Sequence, residues 1–507
     1  MLARAHPRGM TRTSEDLALT GRQRLVLIVL LGAQFMFALD FSIVTVALPV
    51  IGEDLGIPDA DLQWIVTAFA LTAASLVLVM GRVADLHGRK RMFLIGMVVL
   101  TVASAVGGFA TEPWVLFAAR AGQGLATAIT MPAALSLLTT SFEEGPLRNR
   151  ALGLNGALLS LGFAVGAVLG GVVTDVLGWR STFLINVPAG LLILAAAPFL
   201  LTDHGERKQQ KLDVPGAALL STGLLALVLG ISTGERSGWG SPAFLGLVAL
   251  SVTAFVSFWF VESRSSHPLA AVTILRRPTV SWGNLAGFTT FAMESSKVFL
   301  LTLYLQRVLE ASALATGLAF GVLGAGAFTG GLVAARIIDR LGAKGTLLLG
   351  LTLQGVTTLT FLLLGVGEAL GFVHILLATA VGGFGHVLVI VAYTVTVTSG
   401  LPDSEQGLAT GLAGQTQQIA FTVGTPLISA VAIAFATGRF DDPSSSEAVL
   451  GGVHAGLLVN AVLILATAVL ILVFLPAERR PGGDRSATDL ADAGAGRADR
   501  PVPHGRG

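Results

Sequence analysis

Apolar residues in this chain come in long runs, such as Leu25 to Val50 and Leu457 to Leu475, separated by short polar stretches. A run of about 20 apolar residues matches the thickness of a bilayer's hydrocarbon core. Backbone groups inside that core must pair with one another, so each run is predicted to be a helix. The pattern places spans at 25–47, 62–81, 92–110, 114–139, 151–173, 182–201, 213–231, 242–260, 280–304, 313–334, 345–365, 372–398, 407–436 and 453–475. This predicts an all-α integral membrane protein with fourteen transmembrane helices. The longest polar stretches are the N-terminal tail (1–24), Thr202 to Leu212, Val261 to Thr279 and a tail over 476–507. The last is rich in Gly, Asp, Arg and Pro, a composition that does not bury a core and reads as disordered.

Composition strengthens the reading. With 53% hydrophobic and 12% charged residues and a mean hydropathy of +0.77, a soluble protein of 507 residues could not hide its apolar surface. The net charge of +1 gives no reason to expect nucleic acid, and the absence of cysteine excludes disulfides and thiolate metal sites. No polar stretch is long enough for a nucleotide-binding domain, and neither Gly-Lys-Ser nor Gly-Lys-Thr occurs, so there is no phosphate-binding P-loop. The basic residues test the span count. With the N-terminus placed in the cytoplasm, all but six of the 32 Lys and Arg residues fall in cytoplasmic tails and loops. Arg180, Arg236, Arg307 and Arg439 fall outside, and Arg120 and Lys297 lie within spans. One miscounted span would invert every later loop and spoil that asymmetry. An even count with both termini inside follows; twelve is the competing number, should 213–231 and 242–260 not cross.

The chain repeats itself. Gly81-Arg82-Val83-Ala84-Asp85-Leu86-His87-Gly88-Arg89-Lys90 follows span two, and Ala335-Arg336-Ile337-Ile338-Asp339-Arg340-Leu341-Gly342-Ala343-Lys344 follows span ten. Arg, Asp, Gly and Lys share one register in both. Two six-helix halves, 25–201 and 280–475, therefore have a common organisation, and the region 202–279, with its spans at 213–231 and 242–260, reads as an insertion. Repeated halves with a site between them are a transporter design.

Several segments resemble the major facilitator superfamily, specifically its fourteen-span drug:proton antiporter family, over about residues 25–475. Leu39 to Pro49 is similar to the family's first-span signature, Gly81 to Arg91 to its loop motif, and Arg120-Ala121-Gly122-Gln123-Gly124 to its fourth-span motif. Gly153, Gly162, Gly166, Gly170 and Gly171 match the spacing of its antiporter motif in the fifth span, and Trp179-Arg180 with Asn186-Val187-Pro188 also fits. The sequence departs from the family at Ala167, where the motif carries proline, so any kink there is reduced.

A charge within a span is costly and usually functional. Asp40 lies seven residues before the outer end of span one and Arg120 six residues after the outer end of span four. At 1.5 Å per residue both sit roughly 10 Å below the outer edge, at a depth where they can pair. Asp40 is expected to take and release a proton while Arg120 tunes it; a static pair that only orients helices is the alternative. Glu294 and Lys297, three residues apart, share a face of span nine. They are either a self-neutralising pair or a second titratable carboxyl beside a cavity. Gln34, Asn284, Lys297, His386 and Gln415 are candidates to line the cavity, with interhelical hydrogen bonding as the plainer role. The resemblance implies that the cytoplasmic loop of Gly81, Arg82, Asp85, Gly88 and Arg89 gates the inner side, with Asp85 capping the start of span thirteen near Gln406 and Gly407. The fifth-span glycines are expected to let helices touch backbone to backbone.

These readings converge on a non-enzymatic, cofactor-free exporter in a bacterial cytoplasmic membrane, driven by protons and acting as a monomer. The resemblance implies small hydrophobic, often cationic, drugs or antibiotics as substrates. Export of a self-made metabolite or siderophore, nutrient uptake, or a non-transporting sensor are the other readings.

Overall fold

A computed structural model describes residues 20–142, 146–202, 213–265, 272–366, 369–399, 401 and 403–476. Most of the two tails (1–19 and 477–507), most of the Thr202–Leu212 stretch and part of Val261–Thr279 therefore lie outside the described residues. So do the side chains of Arg82, Asp85, Gln406 and the glycine Gly153, and with them the proposed cap by Asp85.

Each of the fourteen predicted segments lies on helix. The elements are α1 (Gly21–Leu55), α2 (Asp59–His87), α3 (Arg89–Gly108), α4 (Pro113–Ser141), α5 (Pro146–Leu177), α6 (Arg180–Leu184), α7 (Asn186–Leu200), α8 (Val214–Ser237), α9 (Pro242–Arg264), α10 (Pro278–Leu303), α11 (Ala313–Thr360), α12 (Ala369–Thr398), α13 (Asp403–Arg439) and α14 (Ser446–Phe474). The short α6 and α7 together make one crossing, and α11 makes two, broken at Gly342. Among the described residues, nine helical stretches meet the length and apolarity needed to cross a bilayer. Local chemistry sets several starts. Thr20 and Gln23 form a capping box at α1, and Asp213, Ser241, Ser312 and Ser445 cap α8, α9, α11 and α14.

The helices outrun the predicted spans because apolarity marks only the part in hydrocarbon, while a helix continues into the headgroups until something breaks it. This corrects one expectation. The segment expected as a gating loop is helical from Gly81 to His87, and Gly88 (φ 101°) is the single residue between α2 and α3. Gly342 (φ 72°) plays the same part within α11, at the same register of the repeat. Both corners need a positive φ, which glycine adopts without strain.

The repeat extends to hydrogen bonding. Lys90, two residues after the first corner, donates to the Pro198 carbonyl in the last turn of α7 at 2.7 Å. Lys344, two residues after the second, donates to the carbonyls of Leu472 and Leu475 at the end of α14, at 2.8 and 2.6 Å. Each half thus places an ammonium on unpaired C-terminal carbonyls of its final helix, where the macrodipole favours a cation.

Large apolar side chains such as Ile28, Val102, Phe199, Leu332 and Val473 face outward, as a lipid-facing surface requires. One buried apolar core continues through both halves, from Ile43 and Leu48 on α1 to Phe299 on α10, Leu323 on α11 and Val389 on α12. The α8–α9 pair lies on the seam between α2 and α13, through Leu220 and Leu224 against Ala74 and Ile419. A Ser221 hydroxyl bond to the Ser75 carbonyl at 3.2 Å adds to that seam.

Candidate functional site

We call the end where α1 begins the near end and the other the far end. Among the described residues, each half buries one ion-paired cluster.

In the first half α1 carries Asp40, with no exposure to solvent. Arg120 on α4, equally buried, donates from Nη1 to Asp40 Oδ2 at 3.0 Å. Gln123, one turn further along α4, donates to Asp40 Oδ1 at 2.8 Å, and Asn186 at the start of α7 donates to the same oxygen. The arginine has further anchors: Nε donates to the Ile65 carbonyl at 2.9 Å and Nη1 to Gln123 Oε1 at 2.8 Å. Its guanidinium also stacks 4.5 Å from the centre of the Phe69 ring. Ser104 on α3 holds the Gln123 amide at 2.9 Å. Five helices thus converge on one carboxylate. A buried ion pair is tolerable when further hydrogen bonds support it, and here Gln123, Asn186 and the Ile65 carbonyl supply them. Asp40 and Arg120 were expected at one depth; Gln123 and Asn186 lay within quoted motifs without an assigned role.

In the second half Glu294 and Lys297 on α10 pair at 2.7 Å, both buried. Gln354 on α11 donates to the same Glu294 oxygen, Oε2, at 2.8 Å, and His386 Nδ1 on α12 stands 3.7 Å from it. Lys297 Nζ lies beside Gly382 on α12, which a Cβ there would meet at 3.5 Å. Gln354 carries no sequence signal; only the fold brings it to Glu294.

The remaining candidates are separate. Asn284 ties helices together: its Oδ1 accepts from Tyr393 on α12 at 3.0 Å and Thr416 on α13 at 2.7 Å, and its Nδ2 donates to the Val280 carbonyl at 2.7 Å. Gln415 on α13 crosses between the halves to the Ala74 carbonyl on α2 at 2.9 Å. Gln34 is buried on α1 with its amide nitrogen unbonded. Arg89 opens α3 beyond the Gly88 corner, and Gly81 packs 3.5 Å or more from Pro132 on α4, measured from the Cβ it lacks.

The glycine stripe of α5 divides its work. A Cβ on Gly162, Gly166 or Gly170 would stand 2.5–2.8 Å from the carbonyl oxygens of Phe35, Leu39 and Ile43 on α1. Gly171 faces α11 of the other half instead, at Ala313. There Gly317 returns the contact: its missing Cβ would fall 2.5 Å from the Ala167 carbonyl oxygen. Ala167 leaves α5 unbroken from Pro146 to Leu177. Polar links reinforce this far-end closure. Asp175 on α5 accepts the Leu314 N–H at 3.0 Å, Gln306 donates to the Val46 carbonyl at 2.8 Å, and Arg307 pairs with Glu53 at 2.5 Å.

Aromatic rings fill the space between the clusters, a feature the phenylalanine content alone did not disclose. Phe69 packs on Phe41 (5.7 Å between centroids), Phe41 on Phe421 (5.2 Å), Phe421 on Phe291 (5.5 Å) and Phe291 on His386 (5.9 Å). The row runs from the arginine of one half to the histidine of the other.

Two helical repeats around a closed far end, each with a buried charged cluster, define a secondary transporter embedded in the membrane as a multi-pass protein. The chain belongs to the Major Facilitator Superfamily, whose pattern matches residues 30–425. It is 38% identical to the cephamycin export protein of Amycolatopsis lactamdurans, over 93% of this chain and 96% of that one. It is 34% identical to the puromycin resistance protein of Streptomyces alboniger, over 92% and 94%. A tetracenomycin C resistance and export protein from Streptomyces glaucescens is 31% identical, over 83% and 78%. The chain is accordingly a transporter and not an enzyme.

Proposed function

We propose that this protein is a proton-driven exporter of antibiotics, in the plasma membrane of a bacterium, with its near end and both termini in the cytoplasm. Three relatives named for antibiotic export or resistance, each matched over most of its length, support the direction and the substrate class. The positive-inside asymmetry supports the orientation. The cytoplasmic gate is assigned to Gly81, Arg82, Asp85, Gly88 and Arg89.

The observation that carries the reading is the Asp40–Arg120 pair, enclosed where α1, α2, α4 and α7 meet. A carboxylate held by an arginine and two amides is stable only while those helices keep their places. Movement of α1 against α4 strips its partners and favours the protonated acid; their return expels the proton. That links proton occupancy to conformation, as antiport by alternating access requires. The aromatic row offers ring faces to hydrophobic substrates and to cations. No cofactor enters the scheme. Two of the relatives are named for exporting one compound each, which favours, as a second reading, an exporter dedicated to a single antibiotic.

The test is drug accumulation in inside-out proteoliposomes under an imposed pH gradient, with puromycin, a cephamycin and tetracenomycin C as probes. The wild type should accumulate at least one of them and lose it on addition of an uncoupler. Asp40→Asn should bind the drug yet fail to concentrate it. Equal accumulation by wild type and Asp40→Asn would remove Asp40 from the mechanism.

A further inference from the structure

The carboxylates of Asp40 and Glu294 are bonded in opposite ways. Asp40 spends both oxygens: Oδ2 on Arg120, Oδ1 on Gln123 and Asn186. A proton there competes with an arginine and two amide donors that favour the ionised form. Glu294 concentrates its partners on one oxygen, Oε2, which accepts from Lys297 and Gln354, while Oε1 is buried with no partner at all. A buried carboxylate oxygen without a donor is expensive unless something supplies one. The nearest titratable side chain on a neighbouring helix is His386, whose Nδ1 stands 3.7 Å from Oε2. That Nδ1 is buried and unbonded, while the side chain as a whole keeps 14% exposure. The exposed ring atoms are therefore other than Nδ1, and the ring stands edge to face with Phe291, on the aromatic row between the halves.

We infer that Glu294 and His386 form a second proton site, open in the conformation in which Asp40 is locked, with His386 carrying protons between the inter-half space and the Glu294 carboxylate. The inference deepens the proton-coupled reading above and rests on it. The transfer is balanced: the ring takes a proton from hydronium at Nε2, leaving water, and gives up the proton on Nδ1 to the carboxylate, ending neutral with its tautomer exchanged. Lys297 can keep its hydrogen bond to Oε2, but loading turns that ion pair into a bond from an ammonium to a neutral acid. The charged groups facing the site are Glu294 and Lys297 from α10 and His386 from α12. Among the described residues α11, α13 and α14 present neutral ones: Gln354 and Thr357, Phe421 and Thr425, and Asn460. The cluster is neutral when empty and carries one positive charge when loaded. A cationic substrate on the aromatic row would be repelled by the loaded form alone, so proton and drug would alternate without touching one atom in common.

The test reads protons directly and needs no transported drug. In the reconstituted full-length protein, infrared difference spectroscopy after a pH jump follows the C=O stretch of protonated carboxyl groups. Asp40→Asn should retain a titrating band, and the double variant D40N/E294Q should lose it. In D40N/H386F, where the ring volume and the Phe291 contact are kept, the band should appear tenfold or more slowly, in line with removal of a proton carrier. Superimposable spectra for D40N and D40N/E294Q would overturn the site, and an unchanged rate in D40N/H386F would overturn the relay. If D40N/E294Q fails to fold, the D40N/H386F rate decides alone. A titrating Glu294 band in a wild-type protein that shows no gradient-driven export would refute the transport reading instead, so the two failures are distinct.

Discussion

Replacement of Gly317 by alanine tests the far-end closure on which the alternating-access reading depends. The new Cβ would lie 2.5 Å from the Ala167 carbonyl oxygen and 3.2 Å from both Cα and N of Gly171. Ordinary contact begins at 3.4 Å, so α5 and α11 must part by about 0.9 Å, and the opposing atoms are backbone that no rotamer change can move. Overpacking of this kind costs about 1–3 kcal/mol. If it is felt only while the far ends are together, then with the far end outside, as proposed, the equilibrium shifts toward the outward-open form by roughly 5- to 150-fold. The protein has no cysteine, so Val46→Cys supplies a unique thiol. Val46 is fully buried, and its carbonyl accepts the Gln306 bond between the halves. A membrane-impermeant maleimide applied outside intact cells should label it faster by that factor in the G317A background. Gly331→Ala, also on α11 but with its nearest atom a Val387 methyl at 3.6 Å, should leave the rate unchanged. Equal labelling in G317A and its parent, with both variants folded, would refute the closure argument.

Two smaller perturbations grade the same architecture. Arg307→Gln removes the ion pair with Glu53, whose carboxylate is largely exposed; it is worth at most about 1 kcal/mol, so labelling should rise less than tenfold. Molar salt should erase the difference between Arg307→Gln and its parent. Asn284→Ala deletes three hydrogen bonds among α10, α12 and α13. At about 0.6 kcal/mol for a typical bond in a membrane, the loss is roughly 2 kcal/mol, visible as a lower thermal midpoint in detergent; an unchanged midpoint would mean that these groups find other partners.

Hydropathy disclosed the number and order of the helices because lipid imposes a rule that each segment obeys alone. It misjudged their ends, and most of all the Gly81–His87 segment, because Arg82, Asp85 and His87 resemble a loop to any measure of apolarity while being compatible with helix. The pairing of Asp40 with Arg120 was open to reading since depth follows from counting residues. Asn186 and Gln354 were not, because their partners lie 146 and 60 residues away, and nothing local distinguishes them from a polar group tying two helices. The aromatic row was hidden for the same reason: Phe41, Phe69, Phe291 and Phe421 sit on four helices and look individually like lipid-facing residues.

The single-glycine corners at Gly88 and Gly342 bear on how the halves move. With one residue between them, α2 and α3 have no slack, and the two arms of α11 have none either. Lys90 and Lys344 tether the far side of each corner to the last helix of its own half. A tilt imposed on α2 or on the first arm of α11 is thereby handed to its neighbour as the same tilt, and on to a third helix. Motion at the membrane surface should then be rigid-body in character, with three-helix blades pivoting at two buttressed elbows, and a longer tether spliced into either elbow would dissipate the stroke before it reached the substrate path.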